Sequence, residues 1–133
     1  MDFAGMNYAA IIVAAIVGFL AGTVWYGLLG KQWLAALGKS KDEMKPSPGP
    51  FVTSAVALIV MAYVLAGTIG HLGEVNLRAG VISGAIVWAG FAATTMAVNN
   101  AFQGAKVTLT LIDAGHWLVV LVLMGGVIGA FGV

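Results

Sequence analysis

The chain has 133 residues, of which 61% are hydrophobic and 8% charged, with six Lys and Arg against five Asp and Glu for a formal net charge of +1. A composition this apolar lies far outside the soluble globular range and marks a membrane protein, while the balanced charge excludes the basic surface that nucleic-acid binding needs. With no cysteine, there is no disulfide framework, thiolate metal site, cysteine nucleophile or acylation site.

The start of the chain carries Asp2 and no Lys or Arg before the first apolar run. A cleaved secretory leader wants a positive start, so the first run is expected to remain in the chain. Four apolar runs, at 8–29, 51–72, 77–98 and 107–131, are each long enough to cross a hydrocarbon core of ~30 Å at ~1.5 Å per residue. They lack the alternation of membrane barrel strands, and helices alone satisfy their own backbone in lipid. The expected fold is therefore all-α: a polytopic membrane protein of four transmembrane helices in one antiparallel bundle, forming a single domain over 1–133.

The first connection, 30–50, holds Lys31, Lys39, Lys41 and Lys45. Its first half reads as a short interfacial helix with Trp33, Leu34 and Leu37 on one side, and its prolines restart the chain at Phe51. The second and third connections are short, which makes their helices antiparallel neighbours. With Lys106 on the third, five lysines share one side and only Arg78 lies on the other. The excess of positive charge on cytoplasmic loops then places 30–50 in the cytoplasm and both termini outside. Trp25, Tyr26 and Trp33 are expected as interfacial anchors at that cytoplasmic face.

Gly18 to Thr23 resembles Gly90 to Thr95, and Gly67 to Gly73 resembles Gly126 to Gly132, the pattern of a parallel repeat of two helical hairpins. Small residues recur four apart at Gly18 and Gly22, Ala66 and Gly70, Gly80 and Gly84, Ala89, Ala93 and Ala97, and Gly125 and Gly129. In lipid such pairs let backbones approach closely. Every helix carries a stripe of this kind, more than one bundle needs, so a homo-oligomer is expected.

The costliest stretch is Leu111 to Trp117, which puts Asp113 and His116 into an apolar segment. An ionisable side chain inside hydrocarbon costs at least ~2.5–3.5 kcal/mol on insertion scales and generally faces a bundle interior or a water-filled cavity. Three residues apart on one helix, the two lie on neighbouring parts of one face. They can share a proton, take part in binding, or clasp another helix, with Thr23, Tyr63 and Thr95 as candidate partners at comparable depth. No metal site is expected, since two ligands are too few and His71 lies near the opposite face. Glu74 and Arg78 are spaced for a local ion pair. No nucleophile–base pair, phosphate loop or second acid accompanies Asp113, so the residues give no support to enzyme chemistry or to a cofactor.

Trp25-Tyr26, Gly30-Lys31-Gln32-Trp33, Gly90-Phe91, and above all Leu111 to Leu118 leading to Met124-Gly125, resemble the bacterial family called domain of unknown function 1761. The resemblance implies a small four-helix integral membrane protein and brings no activity, cofactor or catalytic residue with it. The expected function is thus non-enzymatic. Either a small solute or a proton is bound or passed at the polar site, with the lipid bilayer and further copies as the surroundings, or the chain is a structural or accessory subunit of a larger membrane complex.

Overall fold

A computed structural model describes residues 6–45 and 47–132. Asp2, on which the reading of the chain start rests, and Pro46 lie outside the described residues. Four helices are long and apolar enough to cross a membrane: α1 (Tyr8–Leu37), α2 (Pro48–Leu72), α3 (Leu77–Phe102) and α4 (Val107–Phe131). Among the described residues all regular structure is helical.

Three helices are longer than their apolar runs, α3 continuing past 98 to Phe102. Nothing between Gly30 and Leu37 stops a helix, so the segment expected as a separate interfacial helix is the continuous end of α1. The stop comes at Gly38, whose φ of 71° is left-handed, with its N–H on the Ala35 carbonyl and the Lys39 N–H on that of Leu34. Glycine is favoured there because other side chains clash in that conformation. At α2 the helix begins at Pro48 rather than Phe51, since a proline in the first turn has no hydrogen bond to lose. Asn7 and Asn76 cap α1 and α3 by accepting from Ala10 N at 3.1 Å and Ala79 N at 2.8 Å. Each satisfies a backbone donor that the helix start leaves free.

Helix α3 contains one wide turn, Trp88–Ala92, in which the Ala93 N–H reaches back to the Trp88 carbonyl. No proline causes it. Next to it the hydroxyls of Thr94 and Thr95 donate to the carbonyls of Gly90 and Phe91 at 2.8 and 2.6 Å. Hydroxyls of this kind re-satisfy backbone groups where a helix in lipid departs from the regular ladder.

The packing is centred on α4, which is the most buried of the four helices, with α3 along one side, α1 along another, and α2 leaning mainly on α1. The glycine pairs explain the closest of these contacts. A side-chain carbon added to Gly80 would collide with the Gly125 carbonyl oxygen, and one added to Gly84 with that of Leu121. Gly129 meets the Asn76 carbonyl in the same way. Only glycine lets the two backbones touch along this seam, and van der Waals packing at such seams is what holds helices together in lipid. The hydrophobic core lies between α1, α2 and α4, with Ala14, Leu65, Val120 and Met124 almost fully enclosed. The two hairpins are used differently, since α4 is central while α2, its counterpart in the sequence repeat, lies outside on α1.

Candidate functional site

Beyond the core, toward the end of the molecule that carries Lys31, Lys39 and Lys106, the side chains change character. Gly18, Gly22 and Tyr26 follow one another at intervals of four on α1, so they share the face that meets α4. There the Tyr26 hydroxyl donates to Asp113 Oδ1 at 2.5 Å. The bond is short and joins residues 87 apart in the chain. His116 lies beside it, buried, with its ring centroid 4.9 Å from that of Tyr26 and 4.6 Å from that of Trp117. Trp33 continues the row, 5.5 Å from Tyr26 and edge-on to it.

Asp113 and His116 do not pair. No hydrogen bond joins them among the described residues, and the His116 Nδ1 is sealed from solvent without a partner. The other imidazole nitrogen, Nε2, lies 2.9 Å from where a side-chain carbon on residue 22 would stand. Gly22 is therefore what gives the imidazole its place.

Two indoles hold α4 on either side of the carboxylate. Trp25 Nε1 donates to the Ile112 carbonyl at 3.0 Å, and Trp88 Nε1, from the wide turn of α3, to the Ala114 carbonyl at 2.7 Å. The Trp25 ring lies 2.9 Å from where a side-chain carbon on Gly115 would stand. Backbone carbonyls have a second lone pair, so α4 can accept both bonds without opening its own ladder.

The site opens on a cavity of about 570 Å³ between α1, α2 and α4, with Met96 of α3 at its edge. Its polar wall is Asp113, His116, Tyr26, Thr23 and Ser54. The remainder is apolar or aromatic, with Phe19, Phe51, Leu58, Trp33 and Trp117 among its lining. A volume of this size accommodates a drug-sized molecule, and a mostly apolar lining with a few convergent polar groups is the usual make-up of a small-molecule site.

Of the residues expected at the polar site, the structure brings Asp113, His116 and Thr23 to the cavity. The Thr23 hydroxyl is bonded to the Phe19 carbonyl of its own helix at 3.1 Å. Tyr63 packs on the hydrophobic core instead, and Thr95 is exposed with its hydroxyl on α3's own carbonyls. Trp25, Tyr26 and Trp33, expected as anchors, are all half-buried, the first two bonded to α4 and the third on the cavity wall. Tyr26 is the site residue that sequence reasoning missed as a partner of Asp113. Its position one turn beyond Gly22, on the glycine face of α1, was the signal that could have found it. Among the described residues no group of three His, Asp or Glu side chains converges. His71 is exposed at the far end, and Glu74 accepts from Asn76 Nδ2 at 3.4 Å.

The sequence model of the family described as Protein of unknown function (DUF1761) matches residues 9–129. No curated protein and no solved structure matches the chain.

Proposed function

We propose that this chain, which belongs to the family described as Protein of unknown function (DUF1761), is a multi-pass membrane protein that binds a small solute non-covalently in the cavity beside Asp113. One observation carries the reading: the only acid within the last helix lies on the wall of an apolar cavity of about 570 Å³, rather than being enclosed in the core. Membrane acids placed this way mark solute or proton pathways. Catalysis is not part of the reading: Asp113 is held by Tyr26, and among the described residues His116 makes no hydrogen bond to either.

The test is native mass spectrometry of the protein released from membranes. A bound species of a few hundred daltons is expected on the wild type and not on Ser54→Trp, whose indole would occupy the cavity. Identical spectra for the two proteins would count against the reading. The same spectra give the oligomer mass; a homo-oligomer is our reading, supported by small residues left outward on α3 at Ala89, Gly90 and Ala97.

For orientation, Lys31, Lys39, Lys41, Lys45 and Lys106 cluster at the end where α1 and α3 finish, against Arg78 at the other. This supports both termini outside, and a bacterial cytoplasmic membrane is our reading of the family resemblance. In a chain without cysteine, Glu74→Cys should react with an impermeant maleimide on intact cells, and Ser40→Cys only after lysis. The opposite pattern would invert the topology.

A second reading rests on the Tyr26–Asp113 bond itself, which ties α1 to α4. On that reading the pair is a clasp in a structural or accessory subunit of a larger membrane complex. Asp113→Asn separates the two, because the amide oxygen can still accept from Tyr26 while the charge is gone. Loss of ligand with intact stability supports the binding site; stability and assembly kept in Asp113→Asn but lost in Tyr26→Phe, with no ligand ever bound, support the clasp.

A further inference from the structure

We infer that the occupant of this cavity is a lipophilic organic cation, an inference that rests on the binding reading above and names its ligand class. The argument is one of unmatched charge. Asp113 is the one acid among the residues lining the cavity, and no Lys or Arg lines it. Tyr26 occupies Oδ1. Among the described residues the second oxygen makes no hydrogen bond, yet the only buried side-chain polar atom without a partner is His116 Nδ1. That second oxygen is therefore accessible, on a residue that faces the cavity. His116 forms neither a hydrogen bond nor an ion pair with it, so the protein supplies no counter-charge in contact.

The rest of the wall points the same way. Phe19, Tyr26, Trp33, Phe51 and Trp117 line the cavity, and aromatic faces attract cations, most strongly where water is excluded. An anion would meet an acid with no cationic side chain to offset it. A strongly hydrated inorganic cation would give up its water for a mostly apolar lining, with one accessible carboxylate oxygen and the hydroxyls of Thr23 and Ser54 in return. A neutral solute would leave that oxygen unmatched. A cation whose charge is spread over, or shielded by, apolar substituents satisfies both the acid and the aromatic wall, and the cavity has room for one of drug size.

The probes are tetraphenylphosphonium, its near-isosteric anion tetraphenylborate, and neutral triphenylphosphine oxide. Each is measured by equilibrium dialysis against the full chain in phosphatidylcholine nanodiscs, with uptake by empty discs subtracted. Saturable binding of tetraphenylphosphonium is expected, with tetraphenylborate unable to displace it. Asp113→Asn should weaken it by at least roughly tenfold, and Asp113→Glu should restore most of the affinity. Should Asp113→Asn fail to fold, Phe51→Ala decides. Phe51 is 59% exposed at the cavity rim and its loss should weaken the cation severalfold while sparing stability. Equal affinity for the phosphine oxide, abolished by Ser54→Trp, would overturn the cation class and leave the binding reading standing. Tetraphenylborate binding as tightly, affinity unchanged in Asp113→Asn, or no binding of any probe would each overturn the inference. A bound species in the native mass spectra decides the parent reading independently.

Discussion

The hydroxyl of Tyr26 and the carboxylate of Asp113 meet at 2.5 Å across the contact of α1 with α4. This bond, and not an Asp113–His116 pair, is how the acid of α4 is held. Side-chain hydrogen bonds between membrane helices contribute on average ~0.6 kcal/mol and up to ~1.7 kcal/mol, since the separated helices also find other partners. Tyr26→Phe is therefore expected to lower stability to reversible SDS unfolding by roughly 0.6–1.7 kcal/mol. Asp113→Asn, which keeps the acceptor, should cost less. Equal losses would show that charge rather than the bond is what matters to folding.

At the seam of α3 and α4 the expected effect is larger and sharply local. Gly84→Ala places a carbon against the Leu121 carbonyl, which a helix backbone cannot move aside, so the helices must separate. Overpacking of this kind costs roughly 1–3 kcal/mol. Gly90, only six residues on, has nothing within 4 Å of an added carbon, and Gly90→Ala should fall within about 0.5 kcal/mol of the wild type. Thermal unfolding of the two variants side by side checks the contrast.

These contrasts also show where the sequence was readable. Hydropathy and the lysines marked the four spans, because length and charge placement are dictated by the bilayer and not by the partner helix. The glycines at four-residue spacing announced close contacts, but not between which helices. Tyr26, one turn beyond Gly22, is not assigned to Asp113 because α4 is apolar around most of its circumference and its few polar residues do not show which helix they meet. Trp25 reads as an interfacial ring, and Trp88 draws no site assignment, because an indole N–H bonded to a helix carbonyl leaves no trace in the residue pattern. The wide turn at Trp88–Ala92 has no proline to signal it, and the extension of α1 to Leu37 ran through Lys31, whose long stem lets a helix continue past the apolar boundary.

Trp25 and Gly115 should behave as one unit. The indole six-membered ring occupies the space that a side chain at 115 would need, at 2.9 Å, while its N–H holds the Ile112 carbonyl. Gly115→Ala is expected to destabilise the wild type and to cost little in a Trp25→Leu background, where the ring is absent. A double-mutant cycle should give a coupling of roughly 0.5–3 kcal/mol. Additive losses would mean that Gly115 is required for some other reason.

The imidazole of His116 offers a direct view of the cavity, because the chain has only two histidines and the other, His71, is exposed at the opposite end of α2. With ¹⁵N-labelled histidine, His71 serves as an internal reference. Gly22→Ala would place a carbon 2.9 Å from Nε2 of His116 and displace the ring from its place between Tyr26 and Trp117. Its resonances should shift while those of His71 stay. A ligand in the cavity should perturb the same signals, since His116 lies on the wall, and Gly22→Ala should weaken that ligand even though residue 22 carries no charge. If ligand addition moves the His71 signals instead, binding is at the other end of the molecule, and the cavity beside Asp113 is not the site.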